Sequence, residues 1–394
     1  MKPKLIYFLS HPIQYISPLL QELAKEADLE VYYYSNIGIT GGIDKGFGKA
    51  IQWDTPLLEG YNSKFLKNYS KSDSMNCSFG DALNFGFWNV LRKSKSKIVL
   101  VNSWVYGTDL MVIFTAWLFG KKVWLRAETP FNQEIQKKGL KQMLKHFVLK
   151  YVLFKIFISK FLYIGTENKK FYNYMGVLDS KLLFTPYAVD NQKFSAEYSK
   201  QKNYKDFQKE ALSIPMDSKV ILYSGKYIAK KRPLDLVKAF KIINSPNVHL
   251  VLMGDGPLRK EIEEYIQKNK LPNVHLTGFV NQSEIAKYYS MADVFVMCSG
   301  IGETWGLSTN EAMNFRLPLI LSNTTGSSRD LVQNGKNGFV FAEGNIDELA
   351  QYIDSVFSDS FDSVLAGEIS SKLISNFSIS VISDNIQKEL KNHN

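Results

Sequence analysis

Short apolar runs separated by loops and amphipathic stretches recur along the whole chain, and this alternation restricts the fold more than any other feature. Leu5–Leu9, Leu29–Tyr34, Ile98–Val101, Lys122–Leu125 and Phe161–Ile164 mark the first half. Lys219–Ser224, Val248–Met253, Val274–Val280, Ala292–Cys298 and Pro318–Leu321 mark the second. Runs of this length, with Val, Ile, Leu and Phe on both faces, suit strands covered on both sides. Helix-length segments lie between them: Leu19, Leu20 and Leu23 form one face behind Pro18, and Leu234–Ile243 is amphipathic. That rhythm predicts parallel sheets made of βαβ units. A chain of 394 residues exceeds one comfortable core, so two domains of roughly 180–200 residues are expected. No tandem repeat is visible beyond these two halves.

In parallel sheets ligands bind beyond the carboxyl ends of the strands, so the chemistry is sought in the loops there. The richest is Gly300-Ile-Gly-Glu303-Thr304-Trp305-Gly306-Leu307, which runs into a helix carrying Glu311. On one straight helix the two glutamates would stand about 80° apart, a poor grip on one ligand. With Glu303 in the loop and Glu311 one turn into the helix, both can face one pocket, and the first-turn N–H groups point at an anion. Gly225-Lys226 and Lys231 follow another strand and add two cations. Carboxylates for sugar hydroxyls beside donors for phosphate suit a nucleotide-sugar.

Net charge of +10 asks for an anionic partner. Two distant cysteines, Cys77 and Cys298, leave no disulfide framework or zinc spacing, which suits a reducing compartment. The five histidines do not cluster and no Asp-x-Asp occurs, so no metal and no resident cofactor is expected. Met1–Leu9 is too short in its apolar part for a secretory signal and reads as a first strand.

Glu303-x7-Glu311 followed by Ala-Met and Pro318 resembles the family 4 retaining glycosyltransferases (GT4), which have the GT-B fold. The resemblance implies two Rossmann-like parallel-sheet domains facing across a cleft. The first, about 1–194, is an acceptor domain rejoined by a C-terminal helix at about 376–394; the second, about 195–375, is the nucleotide-sugar domain. It implies that Glu303 contacts the donor sugar and Glu311 the ribose. Lys226 stands where relatives carry an arginine and Lys231 matches their lysine, the two cations gripping the diphosphate. A lysine keeps the charge but loses the bidentate fork. Gly225, Val280, Thr304, Trp305, Gly306 and Leu307 complete the donor site that the resemblance implies. His11-Pro-Ile-Gln14-Tyr looks like a variant found in members that build surface polysaccharides, without the Gly-Gly pair that many relatives have. His11, Gln14, Trp104 and Glu128, all in loops after strands, are the acceptor-side candidates, Glu128 having Arg126 as an alternative ion-pair partner. Asp330 stands where a glutamate is usual. Attack is expected on the face the leaving group departs from, with a phosphate oxygen taking the acceptor's proton and no enzyme nucleophile.

Residues 36–97 are expected to be loops, and Leu110–Phe119 a buried helix. The stretch 140–163 reads as a long helix bearing Lys141, Lys145, Lys150, Lys155 and Lys160 among Leu, Phe and Ile. Each lysine would cost about 2.5–3.5 kcal/mol at a bilayer centre, so it does not span. Lying in the interface of an anionic membrane is the expected role. The expected protein is a cytoplasmic, peripheral, metal-independent transferase. It moves a sugar from a nucleotide-diphospho-sugar to a saccharide or lipid-linked saccharide. A nucleotide-sugar epimerase on the same fold is the alternative enzyme. A basic anionic-surface binding protein is the non-enzymatic one, although no nucleic-acid motif occurs and no nucleic-acid partner is expected.

Overall fold

The computed structural model describes every residue except 1, 38, 40–42, 45–48, 51–55, 72–74, 76, 77, 202–204 and 394. Cys77 and part of the 36–97 stretch therefore lie outside the described residues. The chain forms two compact units: Met1–Gly42, Thr55–Pro186 and Ile379–Asn394, then Ile43–Asp54 and Tyr187–Ser378.

The first unit is built on seven parallel strands: β1 (Lys4–Leu9), β2 (Asp28–Tyr33), β3 (Asn62–Phe65), β4 (Ile98–Val101), β5 (Lys122–Arg126), β6 (Ile158–Tyr163) and β7 (Leu182–Phe184). Their order is β3-β2-β1-β4-β5-β6-β7. Leu5 pairs with both Leu29 and Ile98, which puts β1 in the middle. The central strands are apolar throughout because helices cover both faces; Ile6, Phe8, Val99, Val101, Val123 and Leu125 share one buried cluster. Helix α1 (Ser17–Glu26) starts with Pro18 in its first turn, where a missing N–H costs nothing. The C-terminal helix Ile379–Lys391 packs on α1, and Lys160 in β6 reaches its Glu389 at 2.7 Å.

Three expectations change here. Among the described residues of 36–97 there is regular structure: the edge strand β3 and a helix at Phe87–Lys93. Polar alternation in Asn62–Phe65 hid the strand, because an edge needs little burial. Helix α2 (Gly107–Leu118) buries Val112, Ile113 and Ala116 but leaves Phe114, Trp117 and Leu118 exposed, so it is buried on one face only. The stretch 140–163 is not one helix. It is α3 (Leu140–Phe147), a π-helical coil at Val148–Phe157 and the strand β6. Lys160 belongs to that strand and its ion pair, not to a basic helical face. β-Branched and aromatic content pulled the end of the stretch into the sheet.

The second unit carries six parallel strands: β8 (Lys219–Ser224), β9 (Val248–Met253), β10 (Val274–Gly278), β11 (Val294–Met297), β12 (Leu319–Ser322) and β13 (Gly338–Phe341). Their order is β10-β9-β8-β11-β12-β13. Ile221 and Leu222 pair with Val294 and Phe295, so β8 and β11 are neighbours although far apart in sequence. Strand order reverses between β1 and β4 in the first sheet and between β8 and β11 in the second. Reversal points open crevices at the carboxyl ends of their strands. Helices α4 (Pro233–Phe240), α5 (Ile285–Met291) and α6 (Leu307–Asn314) follow β8, β10 and β11. No helix among the described residues is long and apolar enough to cross a membrane.

Candidate functional site

At the carboxyl ends of β8 and β11 two loops are stitched together. The Gly300 N–H donates to the Lys230 carbonyl at 2.7 Å, and Lys230 Nζ donates to the Gly302 carbonyl at 3.2 Å. Ser308 Oγ, in the first turn of α6, donates to the Ser224 carbonyl at the end of β8 at 3.1 Å. The loop that carries Gly225 and Lys226 therefore lies against the start of the helix that carries Glu311. Gly254, after β9, packs so closely that a Cβ there would overlap the Gly225 carbonyl.

The sequence places Glu303 in the loop and Glu311 in the helix, and the structure does so too: Glu303 lies four residues before α6 and Glu311 at its fifth position. Glu303 forms an ion pair with Lys231. Burial pushes the Glu303 carboxyl up, but the charges of Lys231 and Lys230 outweigh it and hold it below the ordinary range. It is an anion. Gly306 turns the chain into α6 at φ 93°, a left-handed conformation that glycine adopts without strain. A Cβ there would also stand 2.6 Å from Met297 Sδ. No side chain caps the start of α6 among the described residues; the Thr309 N–H donates to the Gly306 carbonyl at 2.9 Å, and the Leu307 and Ser308 N–H groups ahead of it are the ones placed to meet a ligand anion.

Glu311 is buried, and Tyr289 of α5 donates its hydroxyl to Oε2 at 2.7 Å. Gln282 Nε2 approaches Oε1 at 3.5 Å, which brings the loop after β10, with Val280 two residues earlier, to the same carboxylate. Trp305 is different. Its indole is buried against Tyr187 and Phe377 and donates to Asn310 Oδ1 at 2.8 Å, so only its main chain faces the loop. Thr304 lies beside Gly326, where a Cβ would overlap the Thr304 carbonyl. Lys226 accepts at its carbonyl from Tyr223 at 3.1 Å. Sequence reading missed Tyr289, Gln282 and Lys230. Sequence alone does not single out Tyr289, and only the fold shows where its hydroxyl goes.

In the first unit His11 and Gln14 follow β1, Trp104 follows β4 and Glu128 follows β5, three adjacent strands. Ser10 Oγ lies 3.0 Å from His11 Nδ1, and burial pulls the His11 pKa down to about 4, so its imidazole is neutral near pH 7. Gln14 Oε1 is buried without a hydrogen-bond partner among the described residues. Trp104 packs with Phe154 at 5.4 Å and Phe171 at 6.0 Å, a core contact. Glu128 lies 3.6 Å from the buried Arg126. Tyr7 donates to Asn102 Oδ1 at 2.8 Å beside them, and burial pushes its phenol up to about 12. Among the described residues no group of three or more His, Cys, Asp or Glu converges as metal ligands would.

Residues 204–376 match the family described as Glycosyl transferases group 1. The capsular polysaccharide biosynthesis glycosyltransferase CapM of Staphylococcus aureus is 31% identical over 180 residues, 45% of this chain and 43% of that protein. The alpha-monoglucosyldiacylglycerol synthase of Acholeplasma laidlawii is 32% identical over 148 residues, 37% and 36% of the two chains. The chain thus spans less than half the length of these curated relatives. Among solved structures, Anabaena Alr3699/HepE in complex with UDP aligns over 100% of both chains with a TM-score of 0.75 and 17% identity. WaaG, a glycosyltransferase involved in lipopolysaccharide biosynthesis, aligns over 98% of this chain and 99% of its own, with a TM-score of 0.66 and 13% identity. At these identities the likeness is one of fold.

Proposed function

We propose, from the match of residues 204–376 to the group 1 glycosyltransferases and from the two parallel-sheet α/β domains of the GT-B fold, that this chain is a retaining glycosyltransferase. It moves a sugar from a nucleotide-diphospho-sugar to a saccharide or lipid-linked saccharide and needs no metal. The observation that carries this reading is the stitching of the Lys226–Lys231 loop to the Glu303 loop and the start of α6. In the proposed complex the diphosphate lies at the start of α6, met by Lys226 and Lys231. As the bond to the sugar breaks, charge grows on the diphosphate, and preplaced cations and N–H dipoles stabilise it. Glu303 holds the sugar ring and Glu311, fixed by Tyr289, the ribose. His11, Gln14 and Glu128 are assigned to the acceptor, whose proton passes to a donor phosphate oxygen.

Solved relatives bound to UDP or to UDP-glucose favour a uridine donor as the first to test. Capsule and glycolipid enzymes among the relatives favour a surface polysaccharide or lipid acceptor. We place the protein at the cytoplasmic face of a membrane, which it meets through the part of 140–163 that lies outside the sheet, residues 140–157. The deciding experiment is a thermal-shift screen of nucleotide-sugars followed by a transfer assay with the best donor. A donor that binds the native state raises its apparent stability. If no nucleotide-sugar shifts unfolding, or if a donor alone is isomerised without transfer, the proposal is wrong.

A further inference from the structure

Helix α3 has no buried residue, although Leu140, Met143, Leu144 and Phe147 are 57 to 83% exposed and recur at the spacing of one helical face. An apolar stripe turned wholly to water calls for a partner. The π-helical coil prolongs it: Leu149, Leu153 and Phe154 enter the core while Val148, Tyr151, Val152 and Ile156 stay outside. At the end of the coil Phe157 meets α2, 5.1 Å from the Trp117 ring and 6.0 Å from Phe114. Those two rings and Leu118 form the exposed side of α2. The apolar ridge is therefore continuous from Leu140 to Trp117.

Its charge is one-sided. Glu134 is the only carboxylate within residues 131–163, and it is buried and engaged by Lys137, Lys145 and His146. Lys138, Lys141 and Lys155 remain exposed beside the ridge. A second copy docking by twofold symmetry would set these lysines against their own kind. Lysines with exposed Trp, Tyr, Phe and Leu match the interface of an anionic bilayer instead.

We propose that α2 and residues 140–157 form one composite surface that docks on an anionic lipid bilayer, with Trp117 and Phe114 entering the lipid beside α3. This rests on the reading that 140–163 meets a membrane and extends it to a helix outside that stretch. The test uses the full chain and vesicles of phosphatidylglycerol mixed with phosphatidylcholine, compared with phosphatidylcholine alone. The parent should bind the mixed vesicles more tightly, and F114Q/W117Q and M143S/L144S should each bind them at least about tenfold more weakly. Unchanged thermal unfolding shows that the variants are folded. Should F114Q/W117Q not fold, W117F with brominated phosphatidylglycerol replaces it: the parent's tryptophan emission should be quenched more than that of W117F. If M143S/L144S loses binding while F114Q/W117Q binds like the parent, or W117F is quenched as strongly as the parent, the composite surface is overturned and the membrane reading of 140–163 stands. If the parent binds neither vesicle, both fail. Equal binding to both vesicles overturns the anionic requirement, and a lipid-free dimer abolished by F114Q/W117Q would assign the face to a second copy.

Discussion

Lys231 and Glu303 hold each other: the ammonium, 16% exposed, and the carboxylate, 9% exposed, form an ion pair. Two groups proposed to grip the donor's diphosphate and sugar are thus mutually neutralised and preplaced. Glu303 is held ionised by that neighbour against the penalty of its burial.

Removing one partner of such a pair leaves a buried charge uncompensated, which costs about 3 kcal/mol. Lys231→Ala should therefore lower both transfer, at least about tenfold, and stability, read by denaturant unfolding. Lys226→Ala should lower transfer alone. Near-normal rates in both variants would remove the diphosphate site.

The pair also has a pH signature. The Glu303 carboxyl is depressed in the fold, so its contribution is present above the unfolded carboxyl pKa of about 4.3 and lost as pH falls through the lower folded value. The stability gap between parent and Glu303→Gln, measured by unfolding from neutral pH downward, should close in that acid range. A gap that stays constant to low pH contradicts the assigned ionisation.

Tyr289 donates to Glu311 at 2.7 Å and stacks on Phe315 at 5.3 Å, so its ring is fixed before any ligand arrives. Tyr289→Phe keeps the ring and removes the bond, worth about 1.5 kcal/mol to a charged acceptor. The donor KM should rise by about tenfold with kcat little changed. Glu311→Ala should lose at least as much. Equal kinetics for parent and Tyr289→Phe would show that Glu311 needs no such positioning.

His11, pulled down to about 4 by burial, is neutral across the physiological range. If it serves the acceptor, it does so as a neutral group, and the pH-rate profile should show no limb near the ordinary histidine value of about 6.5. A limb there that disappears in His11→Asn would contradict this.

A chelator should leave transfer unchanged, because lysines and the α6 amides are assigned the diphosphate charge. Activity lost to a chelator and restored by magnesium would refute that assignment.

The architecture was legible because parallel strands covered on both faces are apolar at every position, as in Val294–Met297. The placement of Glu303 in the loop and Glu311 in the helix was legible because their spacing straddles a glycine whose positive φ ends the loop. What escaped notice depended on distant neighbours. Nothing in Ile285–Met291 shows that Tyr289 meets Glu311, and although Phe161–Ile164 reads as a strand, nothing in the sequence shows that pairing with β5 begins already at Ile158. Trp305 looked like a ligand contact because it lies inside the motif, yet its ring fills a hole between Tyr187 and Phe377. Local pattern reports the backbone's course better than it reports a side chain's partners.

The bond from Ser308 to the Ser224 carbonyl has a mechanical consequence. It rivets the tip of β8 to the root of α6, so that moving either alone breaks a bond worth about 1 kcal/mol. A displacement of the lysine turn would therefore be resisted at the helix bearing Glu311, and the two ends of a nucleotide-sugar would meet parts of the protein that share a joint rather than two independent hands.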